Sequence, residues 1–495
     1  MTLSFTSFRR LLAPLALVAF VAGAHAREAG AAPPAMPVAP GALPDGAAWL
    51  RHASRDLLPY WREAGALGVP PGRFPTFRCD DGRAFEPARP CNELTHGPAW
   101  IRPELGRQYV RMQARQTFAY AVGFPLTCDP ALLALAAAGA RDIRERALDA
   151  ATGSAATFHD ADGRPQPPVG QRTTQDLAYA GLGLAAYWHL TRDPATLEAL
   201  DRLHRHVMSH FDAGRGEMRW MLAGPEADRR ELVAQLDPLN AYMVLVTPQL
   251  TGERRARWRS DMARLVGAIR THYCAGAAPR CLGTIAPGSE APGARHNDYG
   301  HSGKAFWMVL LAARQLGDVD SAEWAATRAR ALLAEAFDPV HGTWASRWTA
   351  SGPEQGRSWW IHAELDQLAA TLALDEAGPR AWLARSGPYW LRHFVDRERG
   401  EVHGGLAPDG APHGGPTQHH WKNGYHSMEH ALLGYLTAQA VAGEPATLYY
   451  AIDRRAASGL APYLHPGQVL AHEALGTPSA PLLKVRFSVG GPGPR

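Results

Sequence analysis

Lysine is almost missing from this chain: Lys304, Lys422 and Lys484 are the three there are, among 51 basic residues in all. The 47 acidic residues leave a net charge of only +4, and no polybasic run occurs, so a nucleic-acid partner has no electrostatic footprint. Long apolar runs are also lacking. Leu11–Val21 is one, but it falls short of the about 20 residues that span a bilayer, and none later is longer, so no membrane partner is expected. Cysteine is sparse, with 5 residues and no C-x-x-C spacing that would suggest a metal site. Cys79 and Cys91 bracket one loop and Cys274 and Cys281 another. In an oxidising compartment each pair can close a local disulfide, leaving Cys128 as a buried thiol. Strand-like alternation is rare, with Lys484–Val489 the best candidate. What remains, at 46% hydrophobic and 20% charged, is a globular and mainly helical composition that excludes disorder as the main state.

The first residues read as an address. Arg9 and Arg10 precede the apolar run, and Ala24-His25-Ala26 is a small-x-small cleavage site. The expectation is a signal peptide over 1–26, a flexible Ala/Pro/Gly leader over 27–45, and a periplasmic or secreted mature chain. No Cys follows the cleavage site, which argues against a lipoprotein.

A repeat organises the rest. Asp149, Asp212, Asp338 and Asp396 are each followed four residues later by Gly: Gly153, Gly216, Gly342 and Gly400. Each pair follows an amphipathic segment, as an Asp-plus-Gly turn does. The Asp spacing is one step of about 63 residues, taken double between Asp212 and Asp338, and the two Cys-bracketed loops stand where the missing turns belong. Apolar periodicity predicts helices over 46–64, 104–122, 129–150, 172–191, 195–210, 238–250, 253–273, 299–316, 319–336, 358–375, 378–395 and 424–440. Twelve helices in six hairpins at constant period can close into an all-α, (α/α)6 barrel over 46–440, with 441–495 an extension packed on it and a straight solenoid as the competing reading. Both kinds of loop, the Asp turns and the Cys-bracketed ones, should lie at one end of the ring. Long Gly/Pro loops such as 279–300 and 404–418 mark the functional mouth.

Five segments carry chemistry: Arg111–Phe118, Leu239–Val244, Tyr299–Trp307, Trp359–Glu364 and Trp421–His430. Most lie at or near predicted helix starts on alternate helices, which would point into one mouth. Aromatic faces interleaved with polar groups suit a mono- or oligosaccharide, whose C–H faces stack on rings while hydroxyls take hydrogen bonds. Imidazole has the right basicity to move a proton α to a sugar carbonyl. His403, His413, His419 and His420 lie in a Gly/Pro loop and are expected to face solvent. His426-x-x-Glu429-His430 also matches a zinc-peptidase string, although 22 histidines make such a match easy by chance. A hydrolase or lyase would need paired carboxylates, and Glu364 has only Asp298 as an obvious mate. A non-catalytic carbohydrate-binding barrel is a further alternative.

In this order, from about Arg107 to Leu436, the five segments resemble the N-acylglucosamine 2-epimerase superfamily, which includes cellobiose 2-epimerases and aldose–ketose isomerases. The resemblance implies a cofactor-independent isomerase on an (α/α)6 barrel, with no metal. It implies His301 and His426 as the acid/base pair and Arg115 beside the carbonyl oxygen. Asn240, Tyr242, Lys304, Trp360, His362, Glu364, Trp421 and Tyr425 then line the sugar site. Four positions depart from the pattern. Lys304 stands where the family usually has Glu, Tyr242 and Val244 replace two histidines, and Glu429 stands where Arg is common.

Overall fold

The structure, a computed structural model, describes residues 42–491 apart from 458 and 478. The signal-peptide and most of the leader expectation lie outside the described residues. Among the described residues, twelve long helical stretches form two concentric layers. The inner layer is α2 (Val110–Thr127), α4 (Thr174–Thr191), α6 (232–249), α8 (Tyr299–Leu316), α10 (Trp359–Ala373) and α12 (Tyr425–Ala442). The outer layer is α1 (46–62), α3 (130–147), α5 (Pro194–Met208), α7 (252–273), α9 (Val319–Ala336) and α11 (378–394). Successive inner helices pack on each other, and α12 returns to α2, closing an (α/α)6 toroid. Five inner helices pair with the outer helix that follows them. The sixth, α12, pairs with α1, so the two ends of the helical region complete the last hairpin together.

The inner-to-outer turns are short, and three of them share one device. Cys128, Arg192 and Gly317 adopt left-handed backbone angles that end α2, α4 and α8. The next residue is in each case an aspartate (Asp129, Asp193, Asp318) whose carboxylate caps the following helix. The outer-to-inner connections are long. In four of them an Asp side chain accepts backbone N–H groups of its own turn. The Gly four residues on donates to that Asp carbonyl at 2.8 Å in three turns and 2.9 Å in the turn of Asp396. These glycines have φ between 69° and 83°, a region that costs a Cβ-bearing residue. The remaining two connections carry the Cys79–Cys91 and Cys274–Cys281 disulfides. All six run from the C-terminal end of an outer helix to the N-terminal end of an inner one, and therefore share a rim.

Three expectations change. The first inner helix begins at Val110 rather than 104, because Gln108–Tyr109 pairs as a strand with Phe158–His159. The helix expected from 238 begins at Leu232. Pro238, which resembles a helix start, lies inside it. Cys128 is half-buried rather than buried, since it occupies a turn at the end of α2. Beyond α12, strands Ala446–Tyr450, Leu483–Val489 and Gly467–Ala474 form an antiparallel sheet with Leu483–Val489 in the middle. The sheet packs on α2 and α12, and Ala451 N–H donates to the Leu190 carbonyl, at the end of the ring away from the loop rim. No helix among the described residues is long and apolar enough to cross a membrane.

Candidate active site

The N-terminal turns of the inner helices converge beneath the loop rim. Asp298 caps α8, its Oδ1 accepting from the His301 N–H at 2.7 Å, while its Oδ2 receives His301 Nδ1 at 2.7 Å. Gly300 brings this turn against its neighbour: a Cβ there would stand 2.6 Å from the Trp360 indole. Trp360 lies edge-on to His301 at 4.8 Å between centroids and 5.9 Å from His426. Both imidazoles thus flank one indole, although they come from helices far apart in sequence.

His426, in the first turn of α12, places Nδ1 2.8 Å from Glu364 Oε1. A carboxylate only accepts, so in each His–carboxylate pair Nδ1 carries a proton and Nε2 is left free of the carboxylate. Lys304, one turn below His301, places Nζ 3.0 Å from the same Glu364 oxygen. Glu364 and Lys304 are buried. Burial opposes the charge on Lys304, but Glu364, Tyr179 and Asp237 outweigh it and hold its pKa above the usual lysine range. Burial also penalises the Glu364 charge, yet Lys304 and His426 hold its pKa below the carboxylate norm. For His426, burial outweighs its hydrogen bond to Glu364 and, with the Lys304 charge, lowers the pKa to about 3. The free imidazole is therefore neutral at physiological pH.

The facing wall belongs to α2 and the 417–424 loop. Arg115 donates to the Trp421 carbonyl at 2.8 Å and lies 4.2 Å over the Tyr179 ring, and its Nε is buried without a partner. Arg111 donates to Asp176 at 2.7 Å and to the His420 carbonyl at 2.9 Å, sandwiched between Tyr109 and Trp421. Asn240 donates to the Tyr425 hydroxyl at 2.9 Å. Asp237, one turn before it, accepts from Gln175, and burial raises its pKa. Lys422, the second of the three lysines, is also buried. Burial lowers its pKa to about 8, against the pull of Glu401, Asp396 and Asp80. Beneath His426, burial and the nearby Glu364 push Glu429 up to about 8. The hydroxyl of Tyr463, from the C-terminal segment, donates to Glu429 at 2.6 Å.

The structure thus brings together His301, His426, Lys304, Trp360, Glu364, Tyr425, Arg115, Asn240 and Trp421. Two expected residues lie elsewhere, because helical periodicity turns them towards the outer layer. Tyr242 is bonded to His204 of α5 at 3.1 Å. His362 contacts Thr343 and the Ser386 carbonyl among Tyr389, Trp390 and Phe394. His419 and His420 are buried rather than solvent-facing. Asp237 and Tyr179 gave no sequence signal for this location, whereas Glu429 lay within the Trp421–His430 segment. Asp298 did give one, as an Asp three residues before a His at a helix start.

His426 and His430 are committed to different carboxylates, Glu364 and Asp366, at 2.8 Å each. Among the described residues, the one cluster with metal-like spacing is Cys79, Cys91 and Glu93, and its sulfurs are joined as a disulfide. Asp298 and Glu364 each serve a histidine, so they do not form a free carboxylate pair.

No protein-family model matches the chain, and no curated protein is similar to it in sequence. Solved structures do match. Cellobiose 2-epimerase from Bacillus thermoamylovorans has 15% identity and a TM-score of 0.65, over 79% of this chain and 98% of that one. Cellobiose 2-epimerase from Spirochaeta thermophila has 20% identity and a TM-score of 0.65, over 80% and 97%. A D-mannose isomerase has 14% identity and a TM-score of 0.62, over 79% and 97%. These neighbours belong to the superfamily that the five segments resemble. At such identities the likeness is one of architecture: this chain has the (α/α)6 toroid on which those sugar epimerases and isomerases are built.

Proposed function

We propose that this protein is a sugar 2-epimerase or aldose–ketose isomerase in which His301 and His426 are the acid/base pair. The observation that carries the reading is the placing of two carboxylate-bound imidazoles on either side of Trp360. Each has Nδ1 occupied and Nε2 available. In the forward step one Nε2 takes the proton from C2 of the open-chain sugar, and the C2 electron pair delocalises onto the C1 oxygen as an enediolate. Arg115, a cation with a buried N–H to spare, stabilises that oxygen. Return of a proton to the opposite face of C2 by the other imidazole, which enters this step as the imidazolium with a proton on Nε2 and leaves it neutral, gives the epimer. Return to C1 by the same imidazole, with the O2 proton passing to O1, gives the ketose. Trp421 and Trp360 supply faces for stacking. The structural likeness to sugar epimerases and isomerases supports the same class of reaction.

We further propose that 46–440 is the catalytic unit and that the protein works after export, a reading supported by its two disulfides. The test is solvent exchange: incubation with cellobiose or D-mannose in heavy water, followed by NMR at C2. His301→Asn and His426→Asn should each abolish exchange without changing the thermal melt. Full exchange in either variant overturns the two-histidine assignment.

A further inference from the structure

We propose that Trp100, with His419 and His420 behind it, is an outer platform that binds sugar units beyond the one undergoing reaction, so that oligosaccharides bind more tightly than monosaccharides. This rests on the sugar reading of the mouth. Trp100 is 52% exposed and is the one aromatic among the exposed large hydrophobic residues described. A single exposed indole ordinarily needs no explanation. What gives this one direction is its support. Its ring lies edge-on to His419 at 5.0 Å and to His420 at 5.3 Å. His420 is in turn 6.2 Å from Trp421, at the mouth, and is backed by Tyr109 at 5.5 Å and Phe77 at 5.8 Å. A continuous aromatic edge therefore leads from the mouth outwards.

The platform is held firmly. Trp100 precedes Ile101, which is buried with Phe77, Cys79 and Leu94 in a small core of its own, separate from that of the barrel. The Cys79–Cys91 disulfide closes the same segment. The segment is fastened to the loop bearing Trp421: Gln418 donates to the Pro75 carbonyl at 2.7 Å, and Arg399 pairs with Asp80 at 3.2 Å. Rigid aromatic side chains give large contact area at little entropic cost. His420 Nδ1 is buried without a partner, and burial keeps both imidazoles neutral, as suits hydroxyl recognition.

The experiment measures binding apart from turnover. D-mannose, cellobiose and cellotetraose are titrated by calorimetry against the wild type, Trp100→Ala and Trp100→Phe, with C2 exchange recorded separately. Trp100→Ala should weaken cellotetraose about tenfold and leave D-mannose unchanged, and Trp100→Phe should restore most of the loss. Cellotetraose binding within twofold of wild type in Trp100→Ala overturns the platform, as does failure of the wild type to bind cellotetraose. Trp100-dependent binding without exchange of any sugar upholds the platform and counts against the epimerase reading. Full exchange with length-independent binding does the reverse.

Discussion

Lys304 Nζ lies 3.0 Å from Glu364 Oε1, the same oxygen that accepts from His426 Nδ1 at 2.8 Å. One buried carboxylate therefore serves a cation and a candidate catalytic base from two different helices. Removing the cation strands the carboxylate in the barrel interior. Lys304→Met should cost about 3–5 kcal/mol of stability, the usual penalty for breaking a buried pair. Lys304→Met/Glu364→Gln should regain part of it. Urea unfolding of the three variants checks this, and strict additivity of the two single changes would argue against the pairing.

Glu364 also fixes which ring nitrogen of His426 bears the proton. Glu364→Gln can meet Nδ1 with an amide N–H and so favour the wrong tautomer. C2 exchange should fall about 10²- to 10⁴-fold, the usual span for a general acid/base contribution, while KM changes little. A loss confined to KM would mark Glu364 as a substrate-binding group instead.

Glu429 makes stability depend on pH. Its pKa rises from 4.5 to about 8 on folding, first through burial and then through Glu364, while Tyr463, Lys304 and Tyr425 act in the opposite direction. Between those values the native state keeps a proton that the unfolded chain has lost, so stability falls as pH rises through this window. His426, lowered to about 3, acts below 6.5, and Lys422, lowered to about 8, acts above 8. Glu429 therefore contributes a fall between pH 6.5 and 8. Glu429→Gln should flatten it in chemical denaturation series, and an unchanged slope would assign the proton elsewhere.

The zinc-peptidase string makes a different prediction from the free imidazoles. With His426 on Glu364 and His430 on Asp366, chelation with EDTA should leave C2 exchange unchanged. Elemental analysis with one zinc per chain, lost in His430→Ala, would favour the peptidase.

Local rules made much of this chain legible. The Asp-x3-Gly turns could be read because a capping carboxylate and a positive-φ glycine are decisions of four or five residues, and their repetition gave the period and hence the closed ring. His301 and His426 could be read from short motifs at helix starts, where position along the chain already implies position at the mouth. Helix ends were less legible. Val110 was missed as a start because a strand pairing with residues some fifty positions later decides it.

What the sequence left open was the direction of side chains on helices packed between two layers. Tyr242 and His362 are as polar and aromatic as their neighbours at the mouth, but a rotation of one residue along a helix turns a side chain from the axis to the outer layer. The meeting of Lys304 with Glu364, and of Glu429 with Tyr463, was equally hidden. Each joins segments whose separation in the chain carries no information about distance until the ring closes. The residue types and their spacing determined the architecture and the candidate histidines. The tertiary structure alone decided which charges share the buried interior, because desolvation and pairing act through space.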